Sequence, residues 1–249
     1  MDKIIYAILT SNDRRDELTK LLSEIRGISD SALFNITYNN ISVVAGDFSS
    51  NKIIVDKEFA IDYARVIEDL AQHFTLLPVR FGTLMESPDA IKEILIKYYD
   101  EFKQNLQKVE NKYEFSLKVL WDYEKCSGKI RIKTESEDQN AAKLFHHNSI
   151  STDYLLKKLK KHRFENALLK HVEQLIEEIS SHLAQLNPIH KFQKMVTPNI
   201  ILDAVFLLEK NKKDEFIHAI DHLKSQHDDL NFLLTGPWPP YNFVEITLK

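Results

Sequence analysis

The chain has a single cysteine, five glycines, two tryptophans and no long apolar run in 249 residues. Each shortage excludes something. With Cys126 alone, no intrachain disulfide can form, and a reducing cytoplasm is the expected setting. No apolar stretch approaches the roughly 18–20 residues that a membrane span requires. Met1-Asp2-Lys3 leads straight into a strand-like run, so no secretory signal and no membrane partner are expected. Neither a Gly-x-x-x-x-Gly-Lys nor a Gly-x-Gly-x-x-Gly loop occurs, which argues against a nucleotide cradle. An excess of one charge is lacking too. The net charge is −4 with both signs interspersed, so nucleic acid, which wants a concentrated basic face, is not an expected partner. The densest basic run, from Lys157 to Arg163, reads as the solvated face of a helix.

What is present is a regular alternation of apolar patterns. Lys3 to Leu9 is almost continuously apolar, as in a strand covered on both faces. Ser11-Asn12-Asp13 offers N-caps to a helix with Leu18, Leu21, Leu22 and Ile25 on one side, stopped by Gly27. Phe34, Ile36 and Tyr38 alternate with polar residues, and Asn39-Asn40 turns the chain into the apolar run Ile41 to Ala45. A helix with Phe59, Tyr63, Val66, Ile67 and Leu70 on its stripe follows, then a strand over Thr75 to Phe81 containing Pro78. The order is β-α-β-β-α-β, the ferredoxin-like pattern, in which the proline suits an edge strand with no ladder donor to supply.

A single long helix is expected from Pro88 to about residue 110, bridging the halves, and a strand over Tyr113 to Trp121. Lys125 to Asn140 is polar, carries Gly128 and reads as a mobile loop. Ser151-Thr152-Asp153 would cap the longest helix, whose stripe runs from Leu155 and Leu159 through Leu168, Val172, Leu175 and Ile179 to Leu183. Strands over Phe192 to Val196 and Ile200 to Leu208, a helix with Phe216, Ile217, Ile220 and Leu223 facing inward, and a strand from Leu230 to Thr235 complete the set. The expected class is α+β. It comprises a ferredoxin-like domain over 1–110, including the bridging helix 88–110, and a modified ferredoxin-like domain over 111–249 with a long helix and a proline-rich arm.

Catalytic and metal chemistry is hard to assemble from these residues. His218 and His222 stand i, i+4 with Asp221 between them, but the glutamate that zinc proteases place after the first histidine is Ala219 here. Ser11, Ser87 and Cys126 lack the context of an activated nucleophile. No enzyme activity, cofactor or metal is therefore expected.

The most constrained stretch lies near the C-terminus, Leu233-Leu234-Thr235-Gly236-Pro237-Trp238-Pro239-Pro240-Tyr241-Asn242-Phe243-Val244. Gly236 tolerates positive φ, and the three prolines fix φ and remove donors. The preceding strand should stop at Gly236, and Tyr241, Phe243 and Glu245 should lie on another extended segment. The run from Gly236 to Val244 closely resembles the C-terminal signature of the gas vesicle F/L protein family. Leu77-Pro78-Val79-Arg80-Phe81-Gly82-Thr83 looks like that family's other recurrent motif, and Ile4-Ile5-Tyr6-Ala7-Ile8 is similar to its opening strand.

The resemblance implies an assembly and minor structural protein of the gas vesicle. Its implied partners are the small hydrophobic main shell protein, kept from aggregating while a vesicle is nucleated, and other gas vesicle accessory proteins. The implied motif residues are Pro78, Arg80, Phe81 and Gly82, with Gly236, Pro237, Trp238, Pro239, Pro240, Tyr241 and Phe243. Arg80 either pairs internally, with Glu86 or another carboxylate, or meets an acid on a partner. Trp238 either clamps the C-terminal strand onto its own domain or anchors a partner, and three donorless prolines favour the clamp. A ligand sensor or enzyme on a ferredoxin-like scaffold is the alternative, since that fold serves many functions.

Overall fold

The computed structural model describes residues 1–49, 57–142, 150–186, 188–192 and 199–244. Contacts divide the chain into two compact units, residues 1–115 with 236–249, and residues 116–235. The C-terminal stretch thus belongs with the N-terminal half.

The first unit opens with β1 (Asp2–Thr10), α1 (Arg15–Glu24), β2 (Leu33–Tyr38), β3 (Ile41–Phe48), α2 (Lys57–His73), β4 (Leu76–Pro78) and β5 (Leu84–Met85). The sheet runs in the order β2-β3-β1-β4, with β5 also paired to β1. Its pairings are antiparallel, and Tyr38 faces Ile41 across the two-residue Asn39-Asn40 turn. The inner strands are the two most apolar in sequence, because they have neighbours on both sides and a covered face. Leu18 and Leu22 of α1 and Tyr63, Val66, Ile67 and Leu70 of α2 pack on Ile4, Tyr6 and Val44 to make the core. Within it the Tyr6 hydroxyl accepts a hydrogen bond from the Ile28 amide at 2.9 Å. Gly27 lies close by, and a Cβ there would meet that hydroxyl oxygen at 2.6 Å.

Two expectations change here. Ser11 does not cap α1 with its side chain; it is buried and its hydroxyl accepts from Ser42 at 2.9 Å, while its carbonyl accepts from Arg14. The strand expected to reach Phe81 ends at Pro78, and residues 79–83 leave the sheet before β5 rejoins β1.

The helix after Pro88 is two helices, α3 (Pro88–Lys97) and α4 (Tyr99–Val109), both in the first unit. Ser87 caps α3 by accepting from the Ala90 amide at 3.1 Å, with Pro88 in the first turn as expected. Tyr98, at φ −108° and ψ 18°, ends one helix and starts the next, and no proline or glycine marks the break.

β6 (Lys112–Trp121) crosses from one unit to the other, and α5 (Tyr123–Ala142), α6 (Ile150–Ala184), β7 (Ile189–Phe192), β8 (Ile200–Glu209) and α7 (Lys213–Gln226) fill the second. β9 (Leu230–Trp238) then returns to the first unit. The second sheet has the order β7-β8-β6-β9, the first sheet's order strand for strand. Trp121, Cys126, Leu175 and Ile201 form a core cluster here, with Leu168, Val172 and Ile176 against it.

Several boundaries differ from the pattern reading. The polar segment over 125–140 is helix α5, not a loop; Lys, Glu, Gln and Ala carry good helix propensity, and α5 packs against α6. Ser151, Thr152 and Asp153 lie within α6 rather than ahead of it. Leu155 and Leu159 are exposed, so the buried stripe of α6 lies further along, at Leu175, Ile179 and Leu183. Of the strand expected over Phe192 to Val196, Phe192 lies in β7, and residues 193–198 lie outside the described residues.

Replacing Tyr6 by Phe keeps the ring and removes the acceptor of a buried amide. The expected cost is about 1–3 kcal/mol in a denaturant melt, and an unchanged midpoint would show that the Ile28 amide finds another partner.

Candidate functional site

The two sequence motifs meet in the first unit. Pro78 sits opposite Ala7 at the end of β4, and the Val79 amide donates to the Tyr6 carbonyl at 3.0 Å. The chain then turns: the Arg80 carbonyl accepts from the Thr83 amide at 3.1 Å and from its hydroxyl at 2.8 Å. Gly82, at φ 85°, fills the place in this turn that side chains avoid. The Thr83 carbonyl next accepts from the Ile5 amide at 3.1 Å, which returns the chain to β1.

Tyr63 of α2 fixes this turn from beneath. Its hydroxyl lies 2.7 Å from the Ile5 carbonyl and 2.8 Å from the Val79 carbonyl, so one proton ties strand and turn together. Its ring stacks on Tyr6 at 4.8 Å and meets Phe81 edge-on at 5.1 Å. Burial, with Tyr241 and Tyr6 nearby, raises its phenol so far that it stays a donor.

The C-terminal stretch arrives along β9, which does not stop at Gly236 but continues through a cis Gly236–Pro237 peptide to Trp238. Gly236, at φ 122°, leaves no room for a side chain: a Cβ would meet the Glu114 carbonyl oxygen at 2.8 Å. Pro239 and Pro240 are buried, and Tyr241 to Phe243 form a turn rather than the expected extended segment. Glu245 lies outside the described residues. The buried Glu114 carboxylate accepts from the Asn242 amide at 2.8 Å and from its side-chain nitrogen at 2.6 Å. Lys108 donates to the Phe243 carbonyl at 3.2 Å, and the Phe243 ring is fully buried.

Together these segments enclose a groove of about 360 Å³ lined by Pro78, Val79, Arg80 and Thr83 of one motif, Tyr241 and Val244 of the other, and Ile8. Tyr241 is 43% exposed, and its partial burial pushes the phenol up to about 12, with the Glu68 and Glu114 carboxylates adding to the shift. Arg80 is exposed and makes no ion pair among the described residues, so the internal bridge to Glu86 weighed from the sequence is not formed there. The motif residues separate into builders and presenters. Pro78, Gly82, Gly236, Pro239, Pro240 and Phe243 shape the backbone or fill the core, while Arg80, Tyr241 and Trp238 reach the surface. Trp238 is 39% exposed, so the arm's buried anchor is Phe243.

Sequence reading missed Glu114, Asn242 and Lys108, because Glu114 sits at an alternating strand position that predicts a solvent-facing side chain. The residues weighed as nucleophiles are occupied otherwise: Ser11 and Ser87 as above, and Cys126 buried. His218 and His222 are exposed on α7. No group of three or more His, Cys, Asp or Glu able to hold a metal ion occurs among the described residues, and no helix there is long and apolar enough to cross a membrane.

Among the described residues, two sheets and seven helices make a mixed α/β fold, with the two motifs lining one groove. The family model described as gas vesicle synthesis protein GvpL/GvpF matches residues 3–245, and the chain belongs to that family. Among its relatives, gas vesicle protein F1 of Halobacterium salinarum is 21% identical over 90% of this chain and 86% of its own length. Gas vesicle protein F of Microcystis aeruginosa is 22% identical over 89% and 91%. The crystal structure of gas vesicle protein GvpF from Anabaena sp. has the same fold, with a TM-score of 0.83 at 19% identity and 99% of each chain covered.

Two outcomes are expected. In a chemical melt, Phe243→Ala should cost about 3–5 kcal/mol, and Trp238→Ala clearly less; the reverse order would make Trp238 the clamp. In an alkaline absorbance titration, the difference between the native chain and Tyr241→Phe should have its midpoint near 12. The raised phenol contributes stability that is present below about pH 10, the unfolded value, and is lost as pH climbs through the folded one. A midpoint near the ordinary tyrosine value would show the phenol to be open to solvent.

Proposed function

We propose that this chain serves gas vesicle assembly by binding the main hydrophobic shell protein at the two-motif groove, keeping it from aggregating while a vesicle is nucleated. Other accessory proteins of the vesicle would meet it in the same assembly. The observation that carries the reading is convergence. Two segments about 160 residues apart in sequence line one apolar groove, and the arginine at that groove is exposed with no ion pair among the described residues. A rigid apolar groove beside a cation suits a segment that brings an apolar side chain and an acid together. The prolines and the Glu114–Asn242 bonds fix the groove beforehand, so little ordering cost falls on binding. The role is one of recognition, without catalysis.

We also infer that the chain comprises two ferredoxin-like domains, the second modified by its long helix. Support comes from the strand order, which is the same in both sheets, and from the antiparallel β-α-β-β-α-β sequence of the first.

The test uses the purified shell protein diluted from denaturant with and without this chain. The chain at equal ratio should lower light scattering, and Arg80→Ala with Tyr241→Ala should weaken the effect. Arg80→Ala alone should change stability by less than about 0.5 kcal/mol and weaken shell binding by about 2 kcal/mol. Unchanged scattering with folded protein would refute aggregation control, and unchanged binding in the folded double variant would move the contact elsewhere.

A further inference from the structure

α6 carries two apolar faces, and its own unit uses one of them. Leu175, Ile179 and Leu183 are buried, and Leu175 joins the core cluster of Trp121 and Ile201. A second side of the helix meets α5: Ala167, His171 and Gln174 face it across a cavity, and Arg131 of α5 lies over the Phe164 ring. The third side is outward. Leu155, Leu159 and Leu169 lie on it, 63%, 46% and 61% exposed. Single exposed leucines are ordinary, but these share a spacing. Leu155, Leu159, His162, Asn166, Leu169 and Glu173 follow one another at steps of 4, 3, 4, 3 and 4, and all six are exposed. That is the 3.5-residue repeat by which one helix seats against another in a coiled coil.

The charges on α6 decide what fits there. Lys157, Lys158, Lys160, Lys161 and Arg163 stand in its first half, with no acid between Tyr154 and Arg163. Glu173, Glu177 and Glu178 stand in its second half, with no lysine or arginine from His171 to Leu183. Lys161 already pairs with Glu165, Arg163 is engaged within the chain, and Glu178 lies 3.3 Å from the His227 ring nitrogen. The polarity survives without those three, as Lys157, Lys158 and Lys160 against Glu173 and Glu177. A helix of this polarity complements an antiparallel copy of itself, whereas a parallel copy would set like charges together.

The seam agrees with the charges. Antiparallel pairing about a point midway between His162 and Asn166 brings Leu159 of each copy level with Leu169 of the other. Glu173 then comes level with Leu155 of the other copy, one turn from its Lys158. The two middle layers match His162 with Asn166, whose side chains lie 3.0 Å apart within one chain. A polar centre in such a seam costs stability and fixes register.

We propose that the outward seam of α6 is a self-association surface, on which two copies of this chain pair through antiparallel α6 helices about a twofold axis. From Leu155 to Glu173 the seam runs about 27 Å at 1.5 Å per residue. That is a small interface, so the pairing depends on concentration. It uses no residue of the motif groove and stands independently of shell-protein binding.

The test is sedimentation of the full chain over a concentration series. The weight-average mass should rise from that of one chain toward that of two. Leu159→Ser with Leu169→Ser should weaken association at least about tenfold, with Leu169→Ser alone as the fallback if the double variant does not fold. Ile132→Ser removes an exposed apolar residue of α5 outside the seam and should leave association within about twofold. Oxidative cross-linking reads the orientation. Chains carrying Leu159→Cys mixed with chains carrying Leu169→Cys should form a disulfide-linked pair, and neither alone should exceed the wild-type background. A mass fixed at one chain, association untouched by the seam variants, or self-linking of the Leu159→Cys chain would overturn the proposal. A chain that stays single but binds vesicles of anionic lipid through the same leucines would overturn it too, and would give the face to a lipid surface.

Discussion

A buried carboxylate governs the C-terminal half of the motif face. An ionised group withdrawn from water without partners costs several kcal/mol, more than a small arm can return by packing alone. Glu114 is 2% exposed, and its two oxygens take the Asn242 amide and side-chain nitrogen. That pair fixes the position of one residue, and its neighbours follow. Tyr241 lies one residue before Asn242 and lines the groove, Phe243 lies one after and enters the core, and Val244 closes the groove. Gly236 belongs to the same constraint, because the arm passes so near the Glu114 carbonyl that any side chain would collide. Family motifs that look like a recognition sequence are thus first a solution to burying one charge.

The other side of the groove rests on a neutral analogue of the same device. Tyr63 spends its one proton on two carbonyls, one in β1 and one in the turn after β4, so the turn cannot lift away without orphaning buried acceptors. The two devices differ in what they tolerate. A phenol forced to stay neutral leaves the turn indifferent to pH across the physiological range, whereas the carboxylate side draws on the amide geometry of Asn242.

Much of this architecture was legible because periodicity reports burial. The strands of the first sheet, the Asn39-Asn40 turn and the stripe of α2 all follow from which residues must be covered. What was not legible had no such signal. α5 has few apolar residues to form a stripe, and its helicity comes from propensity and from lying against α6. The break at Tyr98 has neither proline nor glycine to announce it. β9 continues through Gly236-Pro237 although both residues ordinarily end a strand. Of the candidate site, the motif residues were visible, but their meeting was not. That meeting depends on the chain's last residues joining its first hundred, and no local pattern encodes such a return.

The division between builders and presenters bears on how such a motif can be read from sequence at all. Glycine and proline are fixed by backbone geometry, so Gly82, Gly236, Pro239 and Pro240 would be required even in a protein whose face bound nothing. Arg80 has no such reason to be where it is. It lies two residues after a buried proline, occupies an exposed turn, and makes no ion pair among the described residues. A long cationic side chain adds little to the fold from that position, and leucine or threonine would satisfy the turn equally well. The residue least explained by folding is therefore the one whose chemistry points outward. A turn locked by Tyr63 and Gly82 presents the guanidinium from a fixed base, as the proposed recognition of an acidic segment would require.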